Sequence, residues 1–444
     1  MEFLNKFFKL QDRGTNVKTE FIAGLTTFLA MSYILVVNSY ILSGDGAFDT
    51  GMQFERILTA TAIAAIVGTL IMGLLANYPV ALAPGMGLNA FFTFTVLAPW
   101  GFGFTFQQGL AAVFVSGIIF ILLSLSGIRE MIINAIPNNL KYAVGGGIGL
   151  FIAFIGLVDG GIISFAGPVP AMTPFTGTAL LAWAGLLLTV ILYLKKVKGA
   201  IFFGIIGTSI LALVFGMTEY SGFVAMPAAP HWGAFLDGFG GLADGPHLMN
   251  FAIVVFSLLF VDFFDTAGTL VSVGRAAGLV DEDGQLQDVG KALLADSVAT
   301  VVGAMVGTSN TTSYIESLPG IEEGGRTGLT AVFVAVFFFI FMFLSPLLGM
   351  VPMAAIAPAL IFVGILMASQ LKNVEWDKLE VAIPSFLTLV LMPFTYSIAN
   401  GIAMGFLSYT IVMLITGKRK DISTLMYILS VIFVLYFALY GRTF

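Results

Sequence analysis

Four carboxylates stand where a carboxylate is costly: Asp262, Asp265, Asp296 and Glu316 all lie inside strongly apolar stretches. An acid in such surroundings is tolerated chiefly where it faces a cavity and serves an ion, a proton or a ligand. No Lys or Arg lies deep in the same stretches. The imbalance favours acids that bind cations or protons, or that accept hydrogen bonds from ligand N–H groups, over an internal salt bridge. Asp262 and Asp265 are three residues apart within Val261-Asp262-Phe263-Phe264-Asp265-Thr266-Ala267-Gly268 and so share one face of a helix. One of them can contact a ligand while its neighbour orients it, and two close carboxylates in a low dielectric tend to share a proton. Either can instead cap or brace a neighbouring helix. Asp296, near the start of a helix, reads as structural.

Glu316 follows the polar run Thr308-Ser309-Asn310-Thr311-Thr312-Ser313. A half-helix beginning near Asn310 would carry Glu316 a turn or two along, facing a cavity, with bracing by Thr or Ser as the structural alternative. The free N–H groups at the start of a half-helix suit a carbonyl or anionic ligand atom, and Ser309, Asn310 and Thr311 are candidate ligand contacts beside it. Asn89, after Pro84-Gly85-Met86-Gly87-Leu88, offers a paired donor and acceptor suited to the edge of a planar heterocycle, or to satisfying backbone at a helix break. Phe91, Phe92 and Phe264 could stack on such a ring, although most of the 43 phenylalanines must simply pack or face lipid. Proton coupling falls to Asp265, Glu316 and Asp262, with Na+ as the alternative ion.

Other patterns carry less. The chain has no cysteine, and its two histidines, His231 and His247, sit in one polar loop, so neither thiolate chemistry nor a zinc site is expected. Gly145-Gly146-Gly147 lies in an apolar run and reads as a close helix contact, not a phosphate loop. Asn310-Thr311-Thr312 fits a glycosylation sequon but falls within the expected membrane site. No cofactor, metal or nucleic-acid partner is expected, and the chain does not read as an enzyme. An intramembrane aspartyl hydrolase would need carboxylates converging from two helices around a water, whereas the close pair here lies on one helix. A passive channel differs in that it cannot accumulate its solute.

The elements that must position these residues follow from composition. The 444 residues are 58% hydrophobic and 10% charged, where soluble domains carry roughly 25% charged residues. Apolar runs fall near 21–43, 56–77, 79–98, 107–128, 138–159, 174–194 and 199–217, then, after a Gly- and Pro-rich linker at 218–248, near 249–274, 290–306, 308–318, 327–350, 352–371, 379–397 and 399–417. A further run at 424–440 can cross, lie at the interface or pack on the bundle. No removable signal peptide is expected in the first twenty residues.

With a cytoplasmic N-terminus, the loops holding Arg129 and Lys141, then Lys195, Lys196 and Lys198, then Arg275, Lys291 and Arg326, all fall inside, as do Lys372, Lys378, Lys418, Arg419 and Lys420. Arg56 is left outside, with Arg442 beyond the last run, and the linker holding Glu219, Asp237 and Asp244 is external and acidic. This distribution obeys the positive-inside rule. Seven runs per half mean that the second half enters from the opposite side, the geometry of an inverted repeat, and the interrupted third and tenth runs at matching positions point to the binding site.

Four ordered stretches resemble the AzgA-like guanine/hypoxanthine permeases, a branch of the nucleobase:cation symporters with the UraA-type fold. They are Thr26-Thr27-Phe28-Leu29-Ala30-Met31-Ser32-Tyr33-Ile34-Leu35, Ala83-Pro84-Gly85-Met86-Gly87-Leu88-Asn89-Ala90-Phe91-Phe92, Asp262-Phe263-Phe264-Asp265-Thr266-Ala267-Gly268-Thr269-Leu270, and Gly307-Thr308-Ser309 through Tyr314-Ile315-Glu316-Ser317 with Gly324-Gly325-Arg326-Thr327-Gly328. The resemblance implies an all-α polytopic fold of about 14 transmembrane helices in a 7+7 inverted repeat, with short strands in broken segments 3 and 10. It divides the chain into a cytoplasmic segment at 1–20, a first repeat at 21–217, the external linker, a second repeat at 249–417 and a tail at 418–444. The core domain would comprise about 21–128 plus 249–350 and the gate about 138–217 plus 352–417.

The resemblance further implies import of hypoxanthine, guanine or adenine with protons across the inner membrane, by elevator movement of the core against a gate that forms a homodimer. Uracil, xanthine or another substrate on the same fold is the alternative. By position, Asp262 and Glu316 would be the substrate-binding acids, Asn89 the polar contact from segment 3, and Asp265 a coupling or bracing acid. Asn38-Ser39 stands where the family often has Asn-Pro, so no proline kink is expected there.

Overall fold

Apolar backbone in a bilayer must pair its N–H and C=O groups within the segment, which makes helices of nearly all the apolar runs. The computed structural model describes residues 2–44, 47–126, 136–165, 169–175, 177–242, 245–279 and 286–440. Arg129, Asp244 and Arg442, counted above for topology, lie outside the described residues. Ten helices among the described residues are long and apolar enough to cross a membrane, and four shorter apolar helices accompany them.

A short α1 (Glu2–Phe8) precedes the first span, which is divided into α2 (Val17–Met31) and α3 (Ile34–Leu42). Then come α4 (Phe54–Ile71), β1 (Leu82–Pro84), α5 (Met86–Phe91) continued by a π-helical turn, α6 (Phe106–Leu125), α7 (Asn138–Asp159), α8 (Gly177–Leu194) and α9 (Ala200–Val214). The second half supplies α10 (Gly245–Ala276), α11 (Val289–Val306), β2 (Thr311–Ser313), a tight turn at Ile315–Ser317, α12 (Leu318–Glu322), α13 (Gly328–Phe341), α14 (Met353–Ala368), α15 (Leu379–Phe394), α16 (Ile398–Ile415) and α17 (Thr424–Tyr440). The first span bends without proline: at Ser32-Tyr33 the N–H groups of Leu35 and Val36 reach carbonyls only three residues back, at 3.2 and 3.1 Å.

The third and tenth segments are each a strand followed by a helical start, and the strands pair antiparallel with Leu82 opposite Ser313 and Pro84 opposite Thr311. A two-stranded ribbon has two open edges, which at membrane depth must be closed by protein. Thr69 of α4 closes the β1 edge, accepting from Leu82 N–H at 2.9 Å and donating to Leu82 C=O at 3.1 Å. On the β2 edge, Asp296 of α11 accepts from Ser313 N–H at 2.9 Å while Thr300 donates to Thr311 C=O at 3.0 Å. The second helix of each half thus supplies the cap for its own strand. Asp296 also accepts from the hydroxyls of Ser313 and Thr266, so this acid is fully spent as a brace.

Packing falls into two groups. In one, α11 lies against α6 and α4 while α13 lies against α2 and α4; in the other, α7 lies against α14 and α15, with α8 and α9 beside α14. Small residues set the close approach of α7 to α14: a Cβ on Gly364 would stand 2.4 Å from the Gly149 carbonyl oxygen. Gly146 and Gly147 likewise abut Leu371 and Met392, a contact role in keeping with their apolar setting. The run at 424–440 packs on the bundle, with Phe433 among Phe256, Phe260 and Phe406 and Tyr436 donating to Asn400 at 3.0 Å.

One acid escaped the sequence reading. Glu20, placed there in the N-terminal segment, belongs to the first turn of α2 and is fully buried. It accepts from the N–H groups of Arg326 and Thr330 and from the Thr330 hydroxyl, closing the N-terminus of α13, where a negative charge is favoured.

Candidate functional site

Because both broken segments turn from strand to helix at the same depth, their turning points meet. The recess between them, a narrow cavity of about 30 Å³, is floored by Gly85 and Ser313 at the strand ends and walled by Asp265 and Thr269 of α10 and by Glu316. Ile148 and Ile152 of α7 and Met367 of α14 close it from the second helix group. Two acids therefore face one cavity from two elements, and among the described residues no Lys or Arg lines it. Gly85 keeps the floor open: a Cβ there would stand 2.8 Å from Thr312 Cγ2 and 3.4 Å from Asp265 Oδ2.

Glu316 is held differently from the sequence expectation. The half-helix does not begin near Asn310, because Thr311–Ser313 is extended and paired; Glu316 instead occupies the tight turn at Ile315–Ser317 that opens the helical part. Its Oε1 accepts the phenolic hydrogen of Tyr33, which the bend between α2 and α3 delivers to the spot. On the opposite side, the first N–H groups of the Met86–Leu97 helix have no carbonyl four residues back to receive them, so they are donors beside the cavity.

Asp262 lies one turn before Asp265 on α10 and points elsewhere. It is buried behind the ribbon, where Oδ2 accepts from Asn310 Nδ2 at 3.0 Å and from the Thr300 hydroxyl at 3.1 Å. Ser309, Asn310 and Thr311 are likewise fully buried, and none of the three lines the recess. Asn89 is buried too and donates to Asn38 Oδ1 at 2.9 Å, while Asn38 donates to Thr61 and Thr308. Asn38, beside the missing proline, is thus the hub that ties segments 1, 2, 3 and 10.

Phe264 sits in an aromatic cluster with Phe260, Phe263 and Phe406, and neither it nor Phe91 or Phe92 lines the recess. The aromatic wall is Tyr314, whose hydroxyl donates to the Pro84 carbonyl. Sequence reasoning did not single out Tyr33, Tyr314 or Thr269. The last carried a readable signal, since it stands one helical turn beyond Asp265. Chemically, the site offers carboxylate acceptors from two sides and backbone donors from a third, a set suited to a small planar ligand bearing N–H donors and a carbonyl-type acceptor.

Residues 18–404 match the Permease family (Xan_ur_permease). The chain is 46% identical to the guanine/hypoxanthine permease PbuG of Bacillus subtilis, over 98% of this chain and 99% of that protein. It is 41% identical to the adenine permease AdeQ of Escherichia coli, over 97% of this chain and 95% of that protein. Among solved structures, the transmembrane domain of the cyanobacterial bicarbonate transporter BicA superposes with a TM-score of 0.63 at 15% identity, covering 90% of this chain and 97% of that one. The last likeness establishes the fold alone.

Proposed function

The chain belongs to the Permease family, and on that premise we propose that it imports purine nucleobases, hypoxanthine and guanine with adenine as a further substrate, in symport with protons. The observation that carries the reading is the pair Asp265 and Glu316 facing one recess that no Lys or Arg among the described residues lines. A neutral hypoxanthine has two ring N–H groups and one carbonyl. Its N–H groups pair with the two acids, and the carbonyl meets the free amides that open the Met86–Leu97 helix.

Relative to the roles implied by resemblance, this reading exchanges Asp262 and Asp265. Asp265 contacts substrate, while Asp262 braces Asn310 and Thr300 behind the ribbon. Asn89 likewise braces the fold through Asn38. Proton occupancy of Asp265 and Glu316 accompanies the substrate, so that the loaded site moves without uncompensated charge.

Movement divides the chain into a core of about residues 21–128 plus 249–350 and a gate of about 138–217 plus 352–417. The apolar wall of Ile148, Ile152 and Met367 supports an elevator-type slide, because it offers the core no polar group to hold. The gate would form a homodimer in the inner membrane, with the N-terminus cytoplasmic. The test is uptake of radiolabelled hypoxanthine into proteoliposomes holding the purified chain, with proton and sodium gradients imposed separately and with unlabelled guanine, adenine, uracil and xanthine as competitors. Accumulation driven by protons and blocked by purines supports the reading; accumulation blocked only by uracil or xanthine, or driven only by sodium, overturns the corresponding part.

A further inference from the structure

We infer that Tyr33 sets the choice between purines that carry a 2-amino group and those that do not, by occupying one oxygen of Glu316. The inference rests on the purine reading above and names the device by which that site discriminates. Tyr33 is 3% exposed, stands at the bend of the first span, and donates to Glu316 Oε1 at 2.5 Å. Tyr314, which lines the recess, spends its hydrogen on the Pro84 carbonyl and does not compete for the carboxylate.

The consequence follows from the edges of the bases. Guanine presents N1–H and the 2-amino N–H side by side, a pair that matches the two oxygens of a free carboxylate in a bidentate contact. Hypoxanthine presents N1–H alone. With Oε1 already accepting from Tyr33, Glu316 has less left for a bidentate partner: it still satisfies N1–H of either base but leaves the guanine amino group without a full partner. A donor left unpaired in a desolvated site lowers affinity, so Tyr33 levels the advantage that guanine would otherwise enjoy. Tyr33 is a positioning residue: it acts on substrate through Glu316.

The measurement is competition. Uptake of labelled hypoxanthine by the full chain is inhibited with unlabelled guanine and, separately, with unlabelled hypoxanthine, and the ratio of the two inhibition constants is compared between wild type and Tyr33→Phe. The variant should shift the ratio toward guanine by about tenfold, the worth of one hydrogen bond in a desolvated site. Tyr33→His, which restores an N–H donor, should move the ratio back, and Tyr314→Phe should leave it where it is. Ligand-dependent thermal stabilisation of the purified proteins gives the same ratio without transport, so a variant that binds but does not move substrate still answers. An unchanged ratio in Tyr33→Phe, or an equal shift in Tyr314→Phe, overturns the inference while the purine reading stands. Wild-type protein that neither binds nor transports either purine overturns both.

Discussion

Replacing Glu316 by Gln removes a charge and converts one acceptor into a donor while keeping the side chain's shape. The glutamine Oε1 can still accept from Tyr33 as the carboxylate does, so the turn at Ile315–Ser317 keeps its brace and the protein should fold and insert. What changes is the atom facing the recess, which becomes an amide N–H2 opposed to a substrate N–H. A substrate N–H left unpaired in the closed site costs about 1 to 3 kcal/mol, or roughly a 5- to 150-fold rise in apparent KM for hypoxanthine. Concentrative uptake should also fail, because the amide cannot carry a proton with the substrate. The assay is the concentration dependence of labelled hypoxanthine uptake in proteoliposomes, run beside a thermal unfolding curve of the purified variant. Wild-type KM with wild-type accumulation in Glu316→Gln would refute the placement of this acid against the substrate.

Asp265→Asn should impair hypoxanthine uptake to a similar degree with the unfolding temperature little changed, whereas Asp262→Asn should act more on stability than on KM; paired uptake and unfolding measurements separate the two. Thr69→Val strips both partners from Leu82 and should destabilise the fold by about 2 to 6 kcal/mol, at about 1 to 3 kcal/mol for each unsatisfied group, with Thr69→Ser restoring most of it in denaturation midpoints. Asp296→Ala leaves the Ser313 N–H without its acceptor and should lower stability by about 1 to 3 kcal/mol or more, read as faster hydrogen exchange at Ser313. Gly85→Ala puts a methyl 2.8 Å from Thr312 Cγ2, a clash of about 1 to 3 kcal/mol that should narrow the recess and weaken substrate binding in a titration.

The sequence disclosed the parts of this fold that hydropathy and covalent chemistry dictate. Apolar runs became helices, and the two runs interrupted by Pro84-Gly85 and by the hydroxyl-rich stretch before Glu316 became the broken elements that meet at the recess. Of the four acids picked out by their setting, Asp265 and Glu316 line the recess, while Asp262 and Asp296 accept hydrogen bonds behind it. What stayed hidden was rotation. Three residues along a helix turn the side chain by about 60° from its starting face, enough to send Asp262 toward Asn310 and Asp265 into the recess. Strand or helix at Thr311–Ser313 was equally illegible, since the extended form depends on a partner strand in the other half. Tyr33 gave no local sign, because its partner is 283 residues away.

That last kind of distance also governs how the molecule comes into being. Tyr314 reaches back to Pro84 across 230 residues, and at about 5 to 20 residues per second a ribosome takes roughly 10 to 45 seconds to synthesise the interval. Throughout that time β1 has Thr69 on one edge and nothing from β2 on the other. The first half therefore waits in the membrane with an open strand, which makes it the stage of biogenesis most exposed to mispairing with a second nascent chain or to quality-control proteolysis. A mutation that merely slows synthesis of the second half would prolong that exposure without altering any contact in the finished protein.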